Sequence, residues 1–420
     1  MKKNLFNILS LAATQGFNAL LPLVIFPYLL NVMGSEKYSS IVVAESISLI
    51  ILTSVLYSYE VNGLTRVVRA RKHGAEELSS VFSEIFFSRL FIWITCVVVA
   101  TACCLLFSPE MVLVLNCWSL VSLGYIFQAS FLFQGLENNG PVAFFTMISR
   151  VACVCCILYF ANSGWPVYYP PLLIGGSFLG TGVCSFLYAR IRLKIRLKSV
   201  SFSTIFKSLL DGRSIFSGNF SVVLFRDSNI LILKFFGVDA SLISSYSIAE
   251  KFIKSLQATM RPLNQFYYAK IVHDFVEGWK PNRDTLRFIL SRTWLQVSFV
   301  TVVLVSGAVV WFFIGDYVAL QITDKYNLHK IVLLACVMVP ATLLGIGNFM
   351  LGTTGLNNLN SSGYYARVLF INGLITLASG SLLIYLFKDV GAAITFVLGE
   401  CVLLVLVLYK YLFEQESRVV

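Results

Sequence analysis

Long apolar runs recur along this chain so regularly that little else fits between them. Twelve stretches read as membrane spans: 8–31, 38–60, 81–107, 111–135, 142–162, 168–189, 217–237, 243–270, 289–314, 328–355, 364–387 and 391–411. Each is near or above the roughly 20 residues that a helix needs to cross a hydrocarbon core. Hydrophobic residues make up 57% of the chain and charged ones 13%. A soluble domain is near half apolar and a quarter charged, so the departure is towards an integral membrane protein. Met1-Lys2-Lys3 is a basic start, but the run to Leu30 lacks a small-residue cleavage site and exceeds an h-region. It reads as the first span.

The net charge of +11 would suggest nucleic acid in a soluble protein. Here the basic residues lie between apolar runs, where they set topology instead. Lys2 and Lys3 precede the first span; Arg66, Arg69, Arg71 and Lys72 follow the second; seven Lys and Arg between Arg190 and Arg213 follow the sixth. The opposite loops hold little more than Lys37, Lys325 and Lys388. Both termini are therefore expected in the cytoplasm. The basic stretch 190–216 divides a first bundle, 1–189, from a second, 217–420. Its alternation from Arg190 to Lys198 suits either a solvated linker or a segment lying over anionic lipid. The ten cysteines sit in or beside apolar runs, as small hydrophobes do. The three histidines are scattered, so no metal site is expected.

The two halves share an outline. Val32-Met33-Gly34 leads to Tyr38, and Phe236-Gly237-Val238-Asp239 leads to Tyr246. Weak internal symmetry of this kind marks transporters built from repeated bundles, with the substrate site at their interface. The fold class expected is an all-α integral membrane protein, with about 12 transmembrane helices in two pseudo-symmetric six-helix bundles around a central cavity.

Charges inside the spans are the functional signal. A charge at mid-membrane costs roughly 2.5–3.5 kcal/mol on insertion scales, so such residues usually face a bundle interior or wet cavity. Arg226 and Asp227 lie midway along the seventh span, and Lys234 is seven residues, about two turns, beyond Asp227, on nearly the same helix face. Ser247, Glu250, Lys254, Gln257 and Arg261 recur at three- and four-residue steps, one polar stripe with Lys251 beside it. Pro262 removes a backbone hydrogen bond and marks, with Arg261, a gate position. Arg89, Arg150, Glu45, Glu60 and Glu400 lie in other spans, while Arg292 and Arg367 are close enough to the surface to snorkel. Arg89 and Arg150 read either as substrate ligands or as partners of buried carboxylates. Cations exceed carboxylates at depth, and an anionic substrate would supply the missing charge. The substrate-binding candidates are Arg89, Arg150, Arg226, Lys234, Lys251 and Lys254. Candidates for coupling H⁺ or Na⁺, with no other cofactor expected, are Asp227, Glu250, Glu400 and Glu45.

The pattern Pro27-Tyr28-Leu-Leu-Asn-Val-Met-Gly34-x-x-x-Tyr38 resembles the first-helix signature of bacterial polysaccharide flippases, the lipid-linked O-antigen repeat-unit transporters. Asp227, Gly237, Tyr246-Ser-Ile-Ala249-Glu-Lys251 and Pro262 resemble the same family's seventh and eighth helices. These proteins share a superfamily with multidrug and toxic-compound extrusion transporters. Ser39 departs from the Gly that often follows the family's Tyr. The resemblance implies an undecaprenyl-pyrophosphate-linked oligosaccharide, moved from the cytoplasmic to the periplasmic leaflet through a cation-lined cavity. Membrane lipids and other polysaccharide assembly proteins are the remaining expected partners. A cation-coupled multidrug exporter is the alternative, less suited because its site should be negative. A membrane polysaccharide polymerase or ligase is disfavoured because no outer loop is long enough for its chemistry.

Overall fold

The computed structural model describes residues 2–260, 264, 267–268, 271–272, 274–275, 279–322 and 327–413. Arg261 and Pro262, the expected gate, lie outside the described residues. Two compact units form, Met1–Val223 and Leu224–Val420. Among the described residues the regular structure is helical throughout.

In the first unit α1 (Lys2–Met33) is followed by α2 (Ser35–Leu56), α3 (Asn62–Ala70), α4 (Ala75–Phe107) and α5 (Val112–Gln128). A short α6 (Ser130–Gly135), α7 (Gly140–Phe160) and α8 (Tyr169–Ile191) complete its membrane helices. The Gly34 turn between α1 and α2 has φ 81° and ψ 166°, a region that costs a side chain about 1–3 kcal/mol. Phe82 and Phe86 of α4 and Phe131 and Phe133 of α6 are buried in the core, while Ile94, Val98 and Val99 of α4 point outward. An outward apolar face suits a lipid solvent.

α5 and α8 approach closely through small residues. A Cβ at Gly182 would lie 2.3 Å from Gly124 O, and one at Gly175 would lie 2.5 Å from Cys117 O. Both obstacles are backbone, which a rotamer change cannot relieve. Small residues let membrane helices pack this way without hydrophobic drive. Gly182→Val should therefore cost about 1–3 kcal/mol or more, as overpacking does, read as a lower melting midpoint in detergent. An unchanged midpoint would show that the helices can separate freely.

The basic segment after α8 is docked rather than solvated. Arg196 N donates to Ser79 Oγ at 3.0 Å and Lys198 N to Ser83 Oγ at 2.8 Å. Residues two apart on the extended segment thus meet serines one turn apart on α4. Ile195 beside them is buried, and Lys198 also reaches Glu76 at 3.2 Å. α9 (Phe202–Arg226) then starts inside the stretch read as linker and carries the chain into the second unit.

There, α10 (Asn229–Phe235) and α11 (Ala240–Thr259) are separated by Gly237 at φ 66°. The Gly turns of the two halves therefore match, and Tyr38 and Tyr246 beyond them are both fully buried. α12 (Arg283–Ile322), α13 (Leu328–Met338), α14 (Pro340–Gly347) and α15 (Ser362–Phe413) follow, with a π-helical stretch Asn348–Leu356 after α14. α15 breaks at Lys388, where φ is 52° and ψ −124°. A Cβ at Gly391 would touch Leu383 O at 2.1 Å, so its two arms form a tight hairpin, the eleventh and twelfth expected spans.

Among the described residues nine helices are long and apolar enough to cross a membrane. The last contains two expected spans, so ten of the twelve are accounted for. The seventh is interrupted between Arg226 and Asn229, and the eighth carries Glu250, Lys251 and Lys254 within its described part.

Candidate functional site

In the first unit the two buried arginines differ in surroundings. Arg89, on α4, is fully buried and reaches Glu60 Oε1 at 2.7 Å. Glu60 sits in the turn after α2 rather than within the span, because α2 ends at Leu56. Phe131 and Tyr59 rings flank the Arg89 guanidinium at 5.0 and 5.7 Å, and its Nε and Nη1 have no hydrogen-bond partner among the described residues. Arg150, on α7, is 2% exposed. Its Nε donates to Asn18 Oδ1 at 3.0 Å, its Nη1 to Ser177 Oγ at 2.8 Å, and its guanidinium lies 3.4 Å from the Phe178 ring centre. All three partners are neutral. Among the described residues no carboxylate comes within ion-pair distance of Arg150. Glu45 sits half-buried on α2.

In the second unit the charges form two connected groups. Lys254 on α11 contacts Asp227 at 2.5 Å and Glu250 at 3.0 Å, the latter one turn away on the same helix. Glu250 is nearly sealed and also accepts from Tyr246 at 3.5 Å. Asn229 donates to the Tyr246 hydroxyl at 3.0 Å. The second group centres on Glu400, fully buried in α15. Arg226 pairs with one of its oxygens, and Asn348 Nδ2 donates to the other at 2.7 Å. Gln257 Nε2, bonded to Ala341 O at 3.1 Å, faces Gly345, as do Glu400 and Arg226. Gly345 has no side chain to separate these polar groups.

The stripe read from Ser247 to Gln257 is thus one buried or half-buried face. Lys251 is half-buried beside it. The expected alignment of Lys234 with Asp227 does not hold. α9 ends at Arg226 and α10 begins at Asn229, so the helical phase is lost between them and Lys234 emerges exposed. Near the surface, Arg292 pairs with Asp274 at 3.0 Å, and Arg367 donates to Gly363 O at 3.3 Å.

Sequence reasoning missed Asn18, Ser177 and Asn348. A lone amide inside an apolar run was the available signal for Asn18 and Asn348. Asn348 also opens the π-helical stretch, a local irregularity that often accompanies function.

The profile of a family described as "Polysaccharide biosynthesis protein" matches residues 5–266. A "Putative O-antigen transporter" of Escherichia coli K12 is 24% identical over 404 residues, covering 96% of this chain and 95% of that protein. One of the same description from Shigella dysenteriae is 21% identical, covering 98% and 99%. Among solved structures, the lipid II flippase MurJ in an inward closed conformation superposes with a TM-score of 0.66. It is 12% identical, over 97% of this chain and 88% of that one. An inward-facing multidrug MATE transporter of the MOP superfamily gives 0.64 at 13% identity, over 95% and 93%. The fold is thus the one these transporters share, and by its profile match the chain belongs to the polysaccharide biosynthesis protein family.

Proposed function

We propose that the protein is a flippase rather than an enzyme. In this reading it moves an undecaprenyl-pyrophosphate-linked oligosaccharide from the cytoplasmic to the periplasmic leaflet by alternating access. The observation that carries the reading is Arg150. A guanidinium held deep in an apolar bundle by the neutral Asn18, Ser177 and Phe178 is left to pair with an anion that arrives later. Its planar fork suits phosphate oxygens, two at a time. The relatives described as O-antigen transporters, and a structural neighbour described as a lipid II flippase, support the same substrate class. Arg89, Arg226, Lys251 and Lys254 are assisting cations, already joined in part to carboxylates that an anionic substrate would displace. Glu250 and Glu400 are the foremost coupling groups for H⁺ or Na⁺, since both are buried carboxylates tied to movable cations. The excess of Lys and Arg in the loops after even-numbered spans supports an inner-membrane protein with both termini in the cytoplasm.

A deletion strain tests the substrate class. Surface polysaccharide should disappear, the lipid-linked repeat unit should accumulate in the cytoplasmic leaflet, and drug susceptibility should stay unchanged. Normal polymer with heightened drug sensitivity would replace the flippase by the exporter reading.

A further inference from the structure

A second polar site lies in the first unit, with Tyr59, whose ring flanks the Arg89 guanidinium, in its lining. α3, the start of α4 and the first turns of α9 enclose a pocket of about 590 Å³. That is within the range of small-molecule sites, roughly 300–1,000 Å³. Its cations are Arg66 and Arg69 from α3 and Lys207 from α9, and its hydroxyls include Ser58, Ser203 and Thr204. Two carboxylates, Glu84 and Asp211, also line it.

The charges do not cancel. Glu84 is taken up by Arg66 in a two-pronged pair at 2.7 and 2.5 Å. That hydrogen bonding holds the Arg66 guanidinium above its ordinary pKa, so it stays charged. Arg69 and Lys207 stand on opposite walls with no carboxylate in ion-pair distance among the described residues. Asp211 offsets one of them. Deeper in, the Ser58 hydroxyl is buried and has no hydrogen-bond partner among the described residues, a cost that a bound acceptor or donor would relieve.

The pocket also has a position. Phe202, Phe206 and Leu210 recur every four residues on α9 and are exposed, so they form an apolar stripe beside the pocket-lining Ser203, Thr204 and Lys207. Phe202 packs edge-on against Phe91, which is on the outward face of α4, at 5.3 Å. A helix with one apolar and one basic face lies at the membrane–water boundary, where headgroups are. The preceding chain, Arg190 to Lys198, carries the basic residues expected on the cytoplasmic side.

We infer that this pocket binds a phosphate ester of a polyhydroxyl group at the cytoplasmic membrane surface. Arg69 and Lys207 take the phosphate, and the Ser and Thr hydroxyls take the polyol. The inference does not rest on the flippase reading, since its ligands are Arg69, Lys207 and the pocket hydroxyls and its test reads binding rather than transport. Either a phospholipid headgroup or a soluble phosphate ester could supply that chemistry.

The test uses the purified full-length protein in phosphatidylcholine nanodiscs. One arm adds phosphatidylglycerol and the other glycerol 1-phosphate, with occupancy read by native mass spectrometry. Arg69→Gln with Lys207→Gln should weaken binding about tenfold or more, given the size of a single basic contact with a lipid surface. Asp211→Asn should strengthen it several-fold. Both changes fall on exposed side chains, and their opposite signs separate a site effect from misfolding. Binding of the lipid alone assigns a headgroup, and binding of the soluble ester assigns a cytoplasmic metabolite. Wild-type occupancy in the double variant, weakened binding in Asp211→Asn, or no binding of either probe would overturn the inference.

Discussion

Arg150→Met should abolish surface polysaccharide while leaving the protein's stability within about 1 kcal/mol of wild type. The two halves of that outcome have separate causes. An arginine deep in a membrane helix carries an insertion penalty of roughly 2.5–3.5 kcal/mol. Its bonds to Asn18 and Ser177 return part of that, since hydrogen bonds between membrane helices average about 0.6 kcal/mol each. The Phe178 face adds about 2 kcal/mol when desolvated. Gain and penalty are of similar size, and methionine removes both. No carboxylate is stranded, and Ser177 keeps its bond to Ile174 O at 2.7 Å. A phosphate-bearing substrate, by contrast, loses its charged ligand. Truncating one member of a buried, hydrogen-bonded charge pair costs about 2–5 kcal/mol, or some thirtyfold upwards. Arg150→Lys should fall between, since it keeps the charge and loses the fork. Polymer display and detergent melting, measured on the same variants, decide the matter. Normal polymer in Arg150→Met would remove Arg150 from the transport path. A drop of several kcal/mol in stability would make it a structural residue.

Much of the fold is legible in the sequence, because membrane solvent leaves a chain few choices. Gly34 and Gly237 read as turns, and each has the positive φ that only glycine takes cheaply. The stripe through Glu250 and Lys254 is legible because helical period places them together. What escapes is tertiary or irregular. Arg226 and Glu400 are 174 positions apart, and no local pattern joins them. The interruption after Arg226 breaks the phase that would align Lys234 with Asp227, and nothing in an Arg-Asp-Ser triplet announces a break. The docking of Arg196 and Lys198 on Ser79 and Ser83 pairs a two-residue period with a four-residue one. Either element alone reads as ordinary.

Removing Arg226 should have a different consequence from removing Arg150, because its partner is sealed. Glu400 is fully buried, whereas the Arg226 side chain remains about a third exposed. Arg226→Met leaves that carboxylate with Asn348 as its side-chain donor among the described residues, and breaking a buried pair from one side costs about 3–5 kcal/mol. Glu400→Gln should cost less. The guanidinium it abandons can reach solvent, and the new amide can still accept from Asn348. The double variant Arg226→Met, Glu400→Gln should recover most of the loss, since a neutral pair of similar volume carries no uncompensated charge. Melting of the three variants in one detergent supplies the coupling energy directly. Equal losses in Arg226→Met and the double variant would show that the pair is not what stabilises this site. Transport in the double variant then separates two roles. If the refitted pair is stable but displays no polymer, the charges act in the transport cycle, by releasing Arg226 to substrate or Glu400 to a proton or Na⁺. If it is stable and active, the pair serves only to join α9 to α15.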